Sequence, residues 1–380
     1  MSYDLSDIQI EYSNSCVRYE KLAERQLRNS DTIIISGYGC SLSVKNDALV
    51  IFPGKTHNAQ KQDTVTLYRG QKSVRRILML NDKGTVSLSA VKWASEQNIS
   101  IMAIDELGDL LLSLPPGSDP DAKLRRAQYR ACDNGRDVAV ARELVRRKTE
   151  LQVEMLKTIP SHPVTNGRRL IVDGRDVRIV AKGQFEYGPV IWQPLEQTLT
   201  ELDACYDMNS IRFLEARIAN SYWDNFVGLP IHWRAGDKKR IPPHWQRCTG
   251  RLSSLSGNRT AQRAINPYQA VTNYAYALLQ GQCKQVLLSQ GFDISCGFLH
   301  ADQLGRDSLV FDLMECHRPQ VDHLVLDFFA KHTLEKGDFM STKDGTVKFN
   351  PQFSRYIAAS CRIDQKDIDD SAVWLKSCLI

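Results

Sequence analysis

Glu215, His300, Asp312 and Glu315 are the residues whose types and spacing could do chemistry. Glu215 shares a helical stripe with Ala219, Tyr222 and Phe226, at spacings of four, seven and eleven. A carboxylate on such a face is costly to bury unless a cation meets it. Asp312 and Glu315 stand three apart, so a helix projects both from one face beside Ser308, with Leu313, Met314 and other apolar residues between and around them. Two acids on a mostly buried helix repel each other unless a cation sits near them. His300 precedes that helix in a glycine-containing turn. One imidazole with two or three carboxylates is a ligand set that suits Mg²⁺ or Mn²⁺, with positions left open for water and substrate. Each residue also has a plainer reading: a partner arginine for Glu215, a structural role for an isolated histidine.

Charge is the second signal. The 380 residues carry 49 Lys and Arg against 44 Asp and Glu, a net charge of only +5, so the distribution matters more than the sum. Residues 123–148 hold nine basic side chains against three acids, which a solvated helix face would also explain. Residues 228–263 hold eight against one, with Trp233, Trp245, His232 and His244 interleaved. Basic residues among aromatics suit phosphate contacts and base stacking. Lys238, Lys239, Arg240, Arg247, Arg251, Arg259 and Arg263 are therefore the candidate DNA-binding residues.

The elements that must position these groups divide the chain in two. Short β-branched or apolar runs at 32–36, 48–52 and 64–68, separated by glycines and prolines, read as strands. From Ile77 a strand, a turn, a short helix through Trp93 and a strand at 99–104 form one βαβ-like unit. PPGSDP at 115–120 interrupts both helix and sheet and marks a boundary. The expected fold is α+β, with a β-rich domain over 1–118 followed by a helical domain over 119–380. Helices are expected over 121–156, over 211–227, from Asn266-Pro267 to Gly281, and from Asp307 or Ser308 to Arg318, resuming after Pro319. A hairpin is expected at 168–185 and another around 343–345.

Several classes are excluded. The longest apolar runs fall well short of the roughly 18 residues a spanning helix needs, and the polar, acidic N-terminus has no signal-peptide core, so a cytoplasmic protein is expected. Ten cysteines without a C-x-x-C pair read as reduced thiols. Gly54-Lys55-Thr56 lacks the first glycine of a phosphate loop, because Leu stands at 49. No G-x-S-x-G or H-E-x-x-H motif occurs.

EARIANSYW at 215–223, PYQAVTNYAYALL at 267–279 and the run from GFLH at 297 through RDSLVFDLME to RPQVD ending at 322 resemble the CRISPR adaptation integrase family. DELG at 105–108 and LRRAQY at 124–129 agree in order, and the resemblance covers roughly residues 30–330. It implies Glu215, His300 and Glu315 as metal ligands, Asp312 as the neighbouring acid, Arg318 as a basic residue beside the site, and Tyr222 as a tyrosine near the metal. It further implies a β-sandwich-like N-terminal domain, a homodimer, a small ferredoxin-like partner subunit, and double-stranded DNA as substrate, both donor fragments and a repeat array. The reaction implied is transesterification by a donor 3′-hydroxyl, with hydrolysis beside it. Departures include Gln269, where the family usually has Asn. Casposon-type transposases share the catalytic motifs and are the alternative, with a stand-alone metal-dependent nuclease beside them.

Overall fold

The computed structural model describes residues 31–55, 64–117, 120–158, 168–172, 175–180, 184–186, 192–248 and 263–380. The β-rich part runs β1 (Thr32–Ile35), β2 (Ser41–Lys45), β3 (Ala48–Phe52), β4 (Val65–Leu67), β5 (Arg76–Met79), β6 (Thr85–Val86), α1 (Leu88–Glu96), β7 (Ser100–Ile104) and β8 (Leu110–Leu114). These form two four-stranded sheets, ordered β1-β5-β7-β8 and β4-β3-β2-β6. β5 and β7 pair in parallel, which requires a crossover, and α1 supplies it. Ser87 caps α1, its side chain accepting from the Ala90 amide at 3.1 Å.

Alternation along the strands decides what each face of the first sheet covers. Ile35, Ile77, Met79, Ile101 and Ala103 join Leu42, Leu49, Ile51 and Trp93 in a core between the sheets. Their neighbours Ile34, Leu78, Met102 and Ile104 enter the large core of the helical part. This sheet is buried on both sides, which explains its nearly unbroken apolar strands.

The helical part corrects three expected boundaries. The charged stretch 121–156 is two helices, α2 (Ala122–Asp133) and α3 (Arg136–Thr158), divided at Gly135, whose φ of +80° no side-chain-bearing residue adopts readily. After β9 (Arg168–Val172), β10 (Arg175–Val180) and β11 (Gln184–Glu186), the expected hairpin with a third strand added, come α4 (Gln193–Leu202), α5 (Met208–Asp224) and α6 (Pro267–Ser289). Asn266 caps α6 as expected, accepting from the Gln269 amide at 2.9 Å. The helix does not stop at Gly281. A Cβ there would lie 1.7 Å from Met102 Sδ, so this glycine lets α6 press onto β7 and ends nothing. Finally, α7 (Ser308–Glu315) and α8 (Arg318–Lys331) are separated at Cys316 and His317, with Pro319 in the first turn of α8. There its missing N–H costs nothing.

The chain closes with β12 (Phe339–Ser341) and β13 (Val347–Phe349), the second expected hairpin, then α9 (Pro351–Ser360) and α10 (Gln365–Leu379). The cysteines among the described residues are free. Among the same residues, no helix is long and apolar enough to cross a membrane.

Candidate active site

The turn that carries His300 is fastened to α7 by one side chain. Asp312 is fully buried. Its Oδ2 accepts from the amides of Phe298 and Leu299 at 2.5 and 3.0 Å, and its Oδ1 from the His300 amide at 2.9 Å and the His300 Nδ1 at 2.6 Å. Since the carboxylate already accepts three backbone hydrogens, the ring donates Nδ1–H to it and keeps Nε2 as a free acceptor. Gly297 makes the close approach possible, because a Cβ would sit 2.7 Å from Ser308 Cβ. Ser308 Oγ donates to the Ala301 carbonyl at 3.0 Å. The acid beside His300 thus builds the turn and orients the ring.

Glu315 ends α7 and is 1% exposed. A carboxylate at a helix C-terminus meets the negative end of the dipole and lacks water, two penalties that need cations to offset them. Two cations are present. Arg318 Nη1 lies 2.6 Å from Oε1, and Lys148 Nζ lies 2.6 Å from Oε2. Oε2 nonetheless accepts no well-directed hydrogen bond. Burial would push the Glu315 carboxyl up, but Arg318 and then Lys148 outweigh it and hold the group at about 2, with His300 acting in the same direction. His300 therefore lies close to Glu315.

Glu215 is the counterpart from α5. Asp207 caps that helix through the Ser210 amide at 3.0 Å, and Arg212 Nε donates to the Leu299 carbonyl at 2.8 Å, tying α5 to the His300 turn. Glu215 Oε1 lies 2.5 Å from the same Lys148 Nζ. One ammonium from α3 thus joins the two carboxylates, and its side chain is only 6% exposed. Burial lowers the Lys148 amine, Glu315 and Glu215 raise it, and the net direction is upward.

Tyr222 lies one layer behind. Its hydroxyl is buried and donates to Asp322 Oδ2 at 2.9 Å, while Tyr276 donates to Asp322 Oδ1 at 2.6 Å. The Arg318 guanidinium sits over the Tyr276 ring, 5.3 Å from its centroid. Tyr222 therefore reaches the carboxylates through Asp322, Tyr276 and Arg318.

The chemistry of the donor set fits a divalent ion. Two carboxylates and an imidazole whose Nδ1 is tied to a buried acid suit Mg²⁺ or Mn²⁺, and Glu315 Oε2 is a buried acceptor without a directed donor. Among the described residues no three such side chains already meet around one point; the Lys148 ammonium stands between Glu215 and Glu315.

The basic loop is corrected in part. Trp233 and Trp245 are buried and stack on one another at 6.2 Å, with Phe339 against both, so their faces are spent on the core and are not offered to bases. Lys238, Lys239 and Arg240 are exposed, Arg240 in an ion pair with Asp237. Arg247 is half-buried, and Arg263 is exposed and 3.0 Å from Asp344. Arg251 and Arg259 lie outside the described residues.

Lys148, Tyr276 and Asp322 were missed by the sequence reading. Lys148 had a signal: Ala141, Leu144, Val145, Lys148 and Gln152 form one buried stripe, where a lysine demands an acidic partner as much as Glu215 demands a basic one.

Known proteins share this architecture. The CRISPR-associated endonuclease Cas1 1 of Archaeoglobus fulgidus is 25% identical over 343 residues, 88% of each chain. A casposase bound to its integration product matches in structure with a TM-score of 0.69 at 19% identity, covering 91% of this chain and 90% of that one. A chain of a Cas6-RT-Cas1–Cas2 complex matches with a TM-score of 0.63 at 15% identity, over 92% of this chain and 34% of that one. The model of the family described as CRISPR associated protein Cas1 matches residues 33–360, and the chain belongs to that family.

Proposed function

We propose that this chain is the integrase and endonuclease of CRISPR adaptation, joining short donor DNA to a repeat array by transesterification. The observation that carries this reading is the meeting of Glu215 and Glu315 around one buried positive charge, with His300 oriented beside them by Asp312. In the reaction a donor 3′-oxygen forms a bond to phosphorus and the array's 3′-oxygen leaves with a proton. One phosphodiester replaces another, so no energy source is needed. Glu215, His300 and Glu315 would hold Mg²⁺ or Mn²⁺, which when bound polarises the phosphate and activates the attacking hydroxyl.

The chain's own residues do the rest. Asp312 keeps Nε2 of His300 free of hydrogen. Arg318, held on Glu315 and over Tyr276, offers positive charge to the phosphate. Tyr222 and Asp322 hold that arrangement from behind. Lys238 and Lys239 are placed to meet phosphates, and the β-rich half serves homodimerisation and docking of a small ferredoxin-like subunit. A Cas2-type partner is supported by the fold likeness to a chain of a Cas1–Cas2 complex. The casposon alternative rests on a fold likeness at 19% identity, whereas the matching family and the Archaeoglobus relative are CRISPR-associated.

The test is incubation of the purified protein with short donor DNA and a supercoiled repeat-bearing plasmid in Mn²⁺, with and without the small partner. Strand transfer by the wild type and its loss in His300→Ala and Glu315→Ala are expected. Wild-type strand transfer in either variant at saturating metal would overturn the assignment.

A further inference from the structure

Lys148 takes no part in the steps described so far, yet its buried ammonium contacts both carboxylates. We propose that Lys148 is an internal counter-cation that a divalent ion must displace: its ammonium neutralises the site without metal, and it passes to Gln152 when metal binds. The inference rests on the reading of Glu215, His300 and Glu315 as ligands.

Two observations carry it. The first is the shared oxygens. Lys148 Nζ lies 2.5 Å from Glu215 Oε1 and 2.6 Å from Glu315 Oε2, while the other oxygen of Glu315 is taken by Arg318. Glu315 can therefore offer a metal only the oxygen that Lys148 holds, and an ion at coordination distance excludes an ammonium from the same place. Without either cation, the buried Glu315 carboxylate would face the half-buried Glu215 carboxylate with no positive charge between them. The second observation is a vacant acceptor nearby. Gln152 is buried, one helical turn from Lys148 on α3, and its Oε1 accepts no hydrogen bond. A buried carbonyl oxygen left unpaired is costly, and residues four apart on a helix are neighbours. An ammonium leaving the carboxylates would satisfy it without reaching solvent. Lys148 is thus a positioning residue that sets how readily the site accepts metal.

The test measures Mn²⁺ binding to the full-length protein by calorimetry and by the EPR signal of free Mn²⁺, without DNA. Lys148→Met, which keeps most of the length of the side chain and removes the ammonium, is expected to bind Mn²⁺ at least tenfold more tightly than the wild type. Gln152→Leu, which removes the receiving oxygen, is expected to bind it more weakly. Unchanged or weaker binding by Lys148→Met, measured beside a wild type that does bind, overturns the role of Lys148 and leaves the ligand assignment standing. Failure of the wild type itself to bind Mn²⁺ overturns both. Should Lys148→Met not fold, the wild type reports directly: with ¹³Cε-labelled lysine, the Lys148 resonance, assigned by its loss in Lys148→Arg, must shift with the midpoint of Mg²⁺ binding. An unmoved resonance at saturating Mg²⁺ refutes displacement.

Discussion

Asp312→Asn separates the two jobs of Asp312, building the turn and setting the histidine tautomer. The carboxylate accepts four hydrogens, from three backbone amides and the His300 ring. An asparagine of the same shape keeps one oxygen. Placed where Oδ2 stands, that oxygen still serves Phe298 and Leu299, and its NH₂ then faces the His300 amide and ring. The amide loses its acceptor, at a cost of about 1–3 kcal/mol. The ring recovers a hydrogen bond only by accepting at Nδ1, which moves its hydrogen to Nε2. The opposite orientation strands two backbone amides, about 2–6 kcal/mol, and so loses. Asp312→Asn should therefore fold with a loss of about 1–3 kcal/mol in urea unfolding. Its Mn²⁺ affinity, and the Mn²⁺ midpoint for strand transfer, should weaken by about 10–100-fold, the usual effect of losing a supporting acid behind a ligating histidine. Wild-type stability together with a wild-type Mn²⁺ midpoint would refute the argument that Asp312 acts through His300.

The remaining predictions concern charge and packing. Glu315 is held at about 2 from an ordinary 4.5, so it contributes stability above pH 4.5 that is lost as pH falls toward 2. The loss is about 3 kcal/mol at most, read as a falling urea midpoint that Glu315→Gln does not share. Gly281→Ala puts a methyl group into Met102 and should cost about 1–3 kcal/mol. Combined with Met102→Ala, which has its own cost in the core, the total loss should be smaller than the sum of the two single losses, and strictly additive losses would place the crowding elsewhere. Replacing Lys238 and Lys239 by Ser should flatten the slope of log affinity against log salt by up to about 1.8, or about 0.9 for each phosphate no longer neutralised. An unchanged slope assigns these lysines to solvent.

The order of the elements and the placing of two acids on one helix were legible because their signals are local. Alternation marked the strands, Asn266-Pro267 marked the start of α6, and the spacing of Asp312 and Glu315 put both acids on one helix. What stayed hidden depends on partners far away in the chain. Gly281 reads as a helix end until Met102 is seen against it. Trp233 and Trp245 read as stacking platforms among basic residues until Phe339 covers them. Pro319 reads as a break, although the chain turns two residues earlier and the proline then suits the next helix. Lys148 was counted with its basic neighbours, although the stripe of Ala141, Leu144 and Val145 places it inside.

The carboxylates and their cation come from helices far apart in sequence: 67 residues separate Lys148 from Glu215, and Glu315 lies beyond the long α6. No single stretch of chain can pre-form this centre, because closing such loops is repaid only when the whole helical core packs. A nascent, truncated or partly unfolded chain therefore lacks at least one carboxylate or the support that aims it, and the centre comes into being only with the complete fold.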